Sequence, residues 1–258
     1  MAAGLIARQR PAALIWNRSA SPIATHSGAL PAAELGAIDL ALICVADGAI
    51  EGLAASLRPL LSPSCVIAHC SGALPAAILG AGSVASLHPL QTFVPNVAIE
   101  WSAVPFVIEG DESAKPFVEA FARVFSSRIH RLQTGTKATY HAAAVFASNY
   151  LIVVLEAARQ LLERCGVDDL SLFEPLVSQT FSNVRDHGGL GAMTGPLARG
   201  DVETIQRHLA ALEELAPHLR SFYSELARAA LSLHLVDLSA DRRAVLDPLL
   251  EKKIAPQP

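Results

Sequence analysis

Several things are scarce in this chain of 258 residues, and each scarcity closes off a class of function. Charged residues make up only 17%, and 20 Lys plus Arg stand against 24 Asp plus Glu, for a formal net charge of −4. Nucleic-acid binding rests on basic patches facing phosphates, so this balance argues against it. No basic run flanks an apolar stretch, which argues against a membrane-surface helix. The four cysteines, Cys44, Cys65, Cys70 and Cys165, form no Cys-x-x-Cys pair and are too few for a disulfide framework. They read as reduced thiols of a cytoplasmic protein. Cys65, His69 and Cys70 lack a second ligand pair, so no metal site is expected. The arginines of residues 1–10 end that stretch instead of preceding an apolar run, so no secretory signal is read there.

Apolar residues, by contrast, reach 52%, ample for a large core. The longest uncharged stretch, residues 138–155, carries Thr139, Tyr140, His141, Ser148 and Asn149. Polar groups in lipid each cost about 1–3 kcal/mol or more, so the expectation is a helix buried in a protein bundle, not a membrane span.

The first half alternates short apolar runs with helical patterns. Strands are expected at 12–16, 40–45 (LALICV), 65–69, 84–87 and 106–109, with helices at 49–60, 73–79 and 114–125. In the last of these, Phe117, Phe121 and Phe125 recur on one face. Strands alternating with helices predict an α/β domain with a Rossmann-like parallel sheet covered on both sides. After a short strand near Ile129 the pattern becomes helical: 136–164, 172–187 with Ser171 and Glu174 as a capping box and Gly188 as its stop, 202–215 capped by Asp201, 218–235 and 241–253. This divides the chain near Arg131 into residues 1–131 and an all-α domain at 132–258.

A dinucleotide-binding sheet needs a glycine-rich turn after its first strand, where backbone N–H groups meet the pyrophosphate. Residues 80–85 (GAGSVA) match G-x-G-x-x-A as letters, but they follow a helix and lead into a strand, so they read as a helix-to-strand turn. The first strand and its glycine turn are missing. Residues 12–16 look like a second strand, and 1–10 like the end of the preceding helix. Loss of a central strand leaves two strand edges unpaired, so either the reading frame continues upstream of Met1, which is the hypothesis taken here, or the fold has adapted to the loss. Beyond a second strand, an acidic residue would hold the ribose of NAD, whereas Arg18 flanked by Asn17 and Ser19 suits the 2′-phosphate of NADP.

The residue strings 15–19 (IWNRS), 69–74 (HCSGAL), 85–93 (ASLHPLQTF), 109–112 (EGDE), 137–151 (KATYHAAAVFASNYL) and 194–201 (TGPLARGD) together resemble a bacterial Rossmann-like family with a C-terminal helical domain of unknown function. That family is similar to the group of 6-phosphogluconate dehydrogenase and pyrroline-5-carboxylate reductase. The resemblance covers nearly the whole chain. It implies an NADP-type fold and a homodimer formed through the helical domain, and it supplies no substrate.

Ligands of open parallel sheets bind beyond the carboxyl ends of the strands. Cofactor contacts are therefore expected from Asn17, Arg18 and Ser19, from Val45, Ala46 and Asp47, from Cys70, Ser71 and Gly72, and from His88. Lys137, His141, Ala144 and Ser148 fall within about 60° on one helical stripe, bordered by Tyr140. Reduction of a carbonyl or imine needs a hydride donor and an acid. Lys137 and His141 are the candidate acid, Ser71 borders the nicotinamide, and Asn149 orients substrate. Each has a structural alternative: a solvated charge for Lys137, a hydrogen-bonded core histidine for His141, interhelical contacts for Ser148 and Asn149. The expected function is an NADP-dependent oxidoreductase acting on a small carbonyl or imine between its two domains. The alternative is a non-catalytic nucleotide sensor or a degenerate dimeric scaffold.

Overall fold

Trp16–Asn17 (β1) and His26–Ser27 (β2) pair in parallel as a small sheet of their own in the computed structural model, which describes residues 14–251. The expected helix at 1–10 and the start of the strand at 12–16 lie outside the described residues. A second sheet has five strands in the order Leu40–Ile43 (β3), Val66–His69 (β4), Val84–Pro89 (β5), Phe106–Gly110 (β6) and Ile129–Arg131 (β7). The apolar runs thus become strands close to where they were read. The sheet is Rossmann-like, but it is not wholly parallel. β5 and β6 run antiparallel, while the other neighbouring pairs are parallel. β4 is fully buried, as a central strand should be, and β3 at the sheet edge is half-buried over most of its length. Among the described residues no strand links the β1–β2 pair to the edge of the five-stranded sheet at β3.

Helices Ala32–Leu35 (α1), Asp47–Leu57 (α2) and Lys115–Arg123 (α3) complete the first half. α2 places Ile50, Ala54 and Leu57 against Ile43, Ile67 and Val84 on one face of the sheet. α3 places Val118 and Ala122, with Phe125 beyond its end, against Val66, Leu87, Phe106 and Ile108 on the other. Of the phenylalanine stripe, Phe121 and Phe125 face this core, whereas Phe117 is exposed. Burying a side chain such as Phe106 contributes about 1.5–3 kcal/mol, so these two layers hold the sheet in place. The expected helix at 73–79 is a 3-10 turn, Ala76–Leu79. Gly80 and Gly82 follow with φ of +82° and +110°, a turn into β5 and not a nucleotide loop.

Lys137–Val145 (α4) and the π-helical turn Phe146–Tyr150 fall with the sheet in one compact unit, Met1–Tyr150, and a second unit is Leu151–Pro258. Residues 132–150, assigned from sequence to the helical domain, thus fall in the unit that holds the sheet. The second unit contains Leu151–Arg164 (α5), Glu174–Ala192 (α6), Gly195–Arg199 (α7), Val202–Leu215 (α8), Pro217–Ser232 (α9) and Ala240–Glu251 (α10). Its core joins Leu197, Ile205, Leu209, Leu231, Leu246 and Leu250. Asp201 caps α8 by accepting from the Thr204 N–H at 3.1 Å. The capping box of Ser171 and Glu174 does not form. Asp169 instead caps a 3-10 turn, accepting from the Ser171 N–H at 3.0 Å. Gly188 breaks α6 with a φ of +71°, where the sequence placed its stop.

The expectation of a buried helix over 138–155 is overturned. The helical run Lys137–Arg164 has mean hydropathy 1.4 in its most apolar window and is long and apolar enough to cross a membrane, yet none of that window is buried. Phe146, Tyr150, Ile152 and Val153 all lie exposed. Among the described residues no bundle covers them.

Candidate active site

Sheet register sets one row of side chains across the first unit. Ile43 pairs with His69, His69 with Ser86, and Ser86 with Glu109. His69, Ser86 and Glu109 are all buried. Paired residues share a sheet face, so three polar groups stand in line within an apolar sheet. Each is satisfied. Glu109 Oε2 accepts from the Ala76 N–H at 2.7 Å. His69 Nδ1 accepts from the Ser71 N–H at 3.1 Å, and its Nε2 lies 3.2 Å from the Pro75 carbonyl. A carbonyl only accepts, so Nε2 carries the proton and His69 is neutral. Burial keeps it so, lowering its pKa. His69 therefore shapes the turn after β4 and takes no part in proton transfer.

The first turn of α4 meets this row and the end of β5. Lys137 is 2% exposed, and its Nζ donates to Ser86 Oγ at 2.5 Å. The Ser86 hydroxyl proton is directed to the Ser71 carbonyl at 3.3 Å, which leaves its lone pairs for Lys137. Burial lowers the Lys137 pKa to about 8, against the opposing pull of Glu109, Cys70 and Asp47. This is a lysine able to release and regain a proton near neutral pH.

One turn on, Tyr140 and His88 meet edge to face, the phenol oxygen 2.7 Å from His88 Nδ1. Burial raises the Tyr140 pKa to about 12, so its hydroxyl stays protonated. His88 is pushed down to about 4 by burial and by the positive charge of Lys137, so its ring is neutral. Lys137 Nζ lies 5.5 Å from the Tyr140 ring centroid, a cation over an aromatic face. His141 completes the group. Its Nδ1 is buried without a hydrogen-bond partner. Such an atom costs about 1–3 kcal/mol unless something fills the valency. Gly72 closes the floor. A Cβ there would sit 2.8 Å from His141 Nδ1 and 3.0 Å from the His88 ring, so only glycine lets the turn approach this closely.

The structure thus gathers Lys137, His141, Ser71, Gly72 and His88 into one site, with Tyr140 beside them. Cys70 adjoins it, its Sγ 3.4 Å from Cys44 Sγ. Val45 and Ala46 lie exposed between β3 and α2, and Asp47, the exposed first residue of α2, acts electrostatically on Lys137 and His88. Asn17, Arg18 and Ser19 are exposed at the end of β1. Asn149 is not part of the cluster. It is exposed on the π-helical turn, twelve residues from Lys137 and so roughly 18 Å along the helix. Sequence reasoning missed Ser86 and Glu109. The available signal was a polar residue set among apolar neighbours in each of two strands, Ser86 in VASLHP and Glu109 in FVIEG. Among the described residues no group of three or more His, Cys, Asp or Glu could hold a metal ion.

The fold and the site together define a Rossmann-like protein with a helical C-terminal domain, the class the residue strings resembled. Within that class, residues 104–230 match the family model described as a domain of unknown function, DUF2520. The fold is similar to that of a candidate NADP oxidoreductase from Bacteroides fragilis, with TM-score 0.71 and 22% identity over 88% of this chain and 91% of that one. It is similar to a reductive aminase from Aspergillus terreus in complex with NADPH and ethyl levulinate, with TM-score 0.64 and 17% identity over 96% and 93%. A pyrroline-5-carboxylate reductase from Coxiella burnetii has TM-score 0.52 and 16% identity over 92% and 94%. No curated protein sequence matches the chain.

Proposed function

We propose that the chain is an NADP-dependent oxidoreductase that reduces or oxidises a small carbonyl or imine. The observation that carries this reading is the buried Lys137, held on Ser86 with its pKa near 8. Burial of a lysine is costly and has few structural uses, whereas carbonyl and imine reduction needs a proton donor of this strength. The solved neighbours support it, since the Aspergillus enzyme is a reductive aminase holding NADPH.

The residues fit two parts of the cofactor. Arg18, with Asn17 and Ser19, would hold the 2′-phosphate, and the turns at Val45, Ala46 and Asp47 and at Cys70, Ser71, Gly72 and His88 would border the rest. No glycine-rich strand-to-helix turn for the pyrophosphate lies among the described residues. NADPH supplies the hydride when bound. Lys137 holds at Nζ the proton that the developing oxygen or nitrogen anion needs. Ser86 fixes the direction of that amine, and burial favours the neutral amine left behind. Tyr140, pinned by His88, walls the site. His141 Nδ1 is free to bind the substrate's polar group.

We also propose a cytoplasmic homodimer formed through the helical unit. α5 and α6 contribute no buried residue, and Ile152, Val153, Leu176, Phe181 and Leu190 are exposed along them. Apolar surface of this extent calls for a partner. The Arg185–Asp186 and Gln179–Asn183 pairs on α6 suit a protein partner better than lipid.

The test is titration with NADPH and NADH, followed by small ketones and imines with NADPH consumption as readout. Tighter binding of NADPH, a preference narrowed by Arg18→Ala, and turnover lost in Lys137→Ala are expected. Equal affinity for both nucleotides would remove the Arg18 assignment. A second reading is a nucleotide sensor or degenerate dimeric scaffold. NADPH binding without turnover would mark the sensor, and a stable fold without binding the scaffold.

A further inference from the structure

Two thiols stand side by side at the carboxyl ends of adjacent strands, outside the proton-transfer machinery described above. Cys44 follows β3 and Cys70 follows β4, each one residue beyond the register pair of Ile43 and His69. The Cys70 N–H donates to the Ile43 carbonyl at 3.1 Å, so the two backbones are still strand-paired there. Residues paired across neighbouring strands have Cα atoms about 4.8 Å apart, inside the range of about 4.4–6.8 Å that a disulfide spans. The side chains also point the same way, since the two Sγ atoms lie 3.4 Å apart. Cys44 is exposed, which gives a small oxidant access, whereas Cys65 is buried and Cys165 has no such partner among the described residues.

We propose that Cys44 and Cys70 form an oxidation site that closes reversibly to an intramolecular disulfide with peroxide as oxidant. The Cys44 sulfur attacks peroxide, the O–O bond breaks, and a sulfenic acid and one water result. The Cys70 sulfur then attacks the Cys44 sulfur. The S–S bond forms, the S–O bond breaks, and hydroxide leaves with the Cys70 proton as a second water. Two electrons pass from the two sulfurs to the peroxide. Cys44 is the natural first nucleophile because it is accessible and because the hydrogen bond from Cys70 lowers its pKa while that of Cys70 is raised.

The bond would tie the turn at Val45, Ala46 and Asp47 to the turn at Ser71 and Gly72. Its effect on nucleotide affinity rests on the NADP reading above. The formation of the bond does not.

The full chain, reduced and then treated with dilute hydrogen peroxide, is mapped by mass spectrometry after digestion without reductant. A Cys44–Cys70 crosslink within one chain, lighter by two hydrogen atoms, is expected. It should be removed by dithiothreitol, retained in Cys165→Ser and lost in Cys44→Ser and Cys70→Ser. Independent oxidation of the two residues, or a link between chains, overturns the proposal. NADPH titration of the reduced and oxidised forms reads the consequence. Affinity weaker by roughly ten-fold after oxidation is expected. An unchanged affinity with the crosslink in place overturns the switch, whereas failure of the reduced protein to bind NADPH overturns the NADP reading and leaves the thiol site to the mapping.

Discussion

Lys137 Nζ donates to Ser86 Oγ at 2.5 Å, joining the first residue of α4 to the middle of the buried strand β5. This contact places a charge where burial opposes it, and its energetics can be separated from its chemistry. Lys137→Met keeps the apolar stem and removes the ammonium. We expect it to abolish any reductase activity and to stabilise the fold at pH 7 by about 1–3 kcal/mol. Urea unfolding of both proteins at pH 7 checks this. A destabilised Lys137→Met protein would show that the ammonium holds the fold together.

The same group sets a pH dependence. A proton donor with a pKa near 8 is lost as pH rises, so the reduction rate should fall above about pH 8. A pH–rate profile in the reductive direction reads this, and a rate flat up to pH 10 would count against Lys137 as the acid.

Stability should respond to His88 at the other end of the scale. Its pKa is lowered from 6.5 to about 4, so the unfolded chain binds the proton first. The stabilisation is complete above pH 6.5 and is lost as pH falls toward 4. The Tm of His88→Gln should vary less over that window than that of the parent protein.

Gly72→Ala tests the close approach at the floor of the site. The new methyl would meet His141 Nδ1 at 2.8 Å. Displacement of two histidines should lower stability by about 1–3 kcal/mol and activity more steeply. Calorimetry and turnover together report it, and full activity in Gly72→Ala would mean that the His141 position is unimportant.

Phe181, 70% exposed on α6, tests the homodimer. Phe181→Glu should shift the protein to monomer in sedimentation velocity while its helix content stays the same. A parent protein that is already monomeric in dilute solution would remove the dimer proposal.

Much of this architecture was legible beforehand because burial on two faces leaves continuous apolar runs, as in VIAH of β4 and FVIEG of β6. Strand direction was not. Nothing in 106–110 distinguishes a parallel from an antiparallel partner, because the same side chains face the same core either way. Lys137 and His141 were readable as one helical stripe bordered by Tyr140, since α4 is regular there. Asn149 was placed by extending that regular helix through a π-helical turn. Ser86 and Glu109 stayed hidden because only register, fixed by long-range pairing, aligns them with His69 beneath Lys137.

The reversed direction of β6 determines what surrounds the site. A parallel crossover would have carried the chain back to the far rim before returning. Here Pro89 faces Phe106, and the connection between them stays at the near rim. Residues 90–105 therefore form an irregular parapet along the edge where Gly72 and His88 stand, with Phe93, Val94 and Val97 facing outward. Changes of length or side chain there can recast what the rim admits without disturbing a single hydrogen bond of the sheet below.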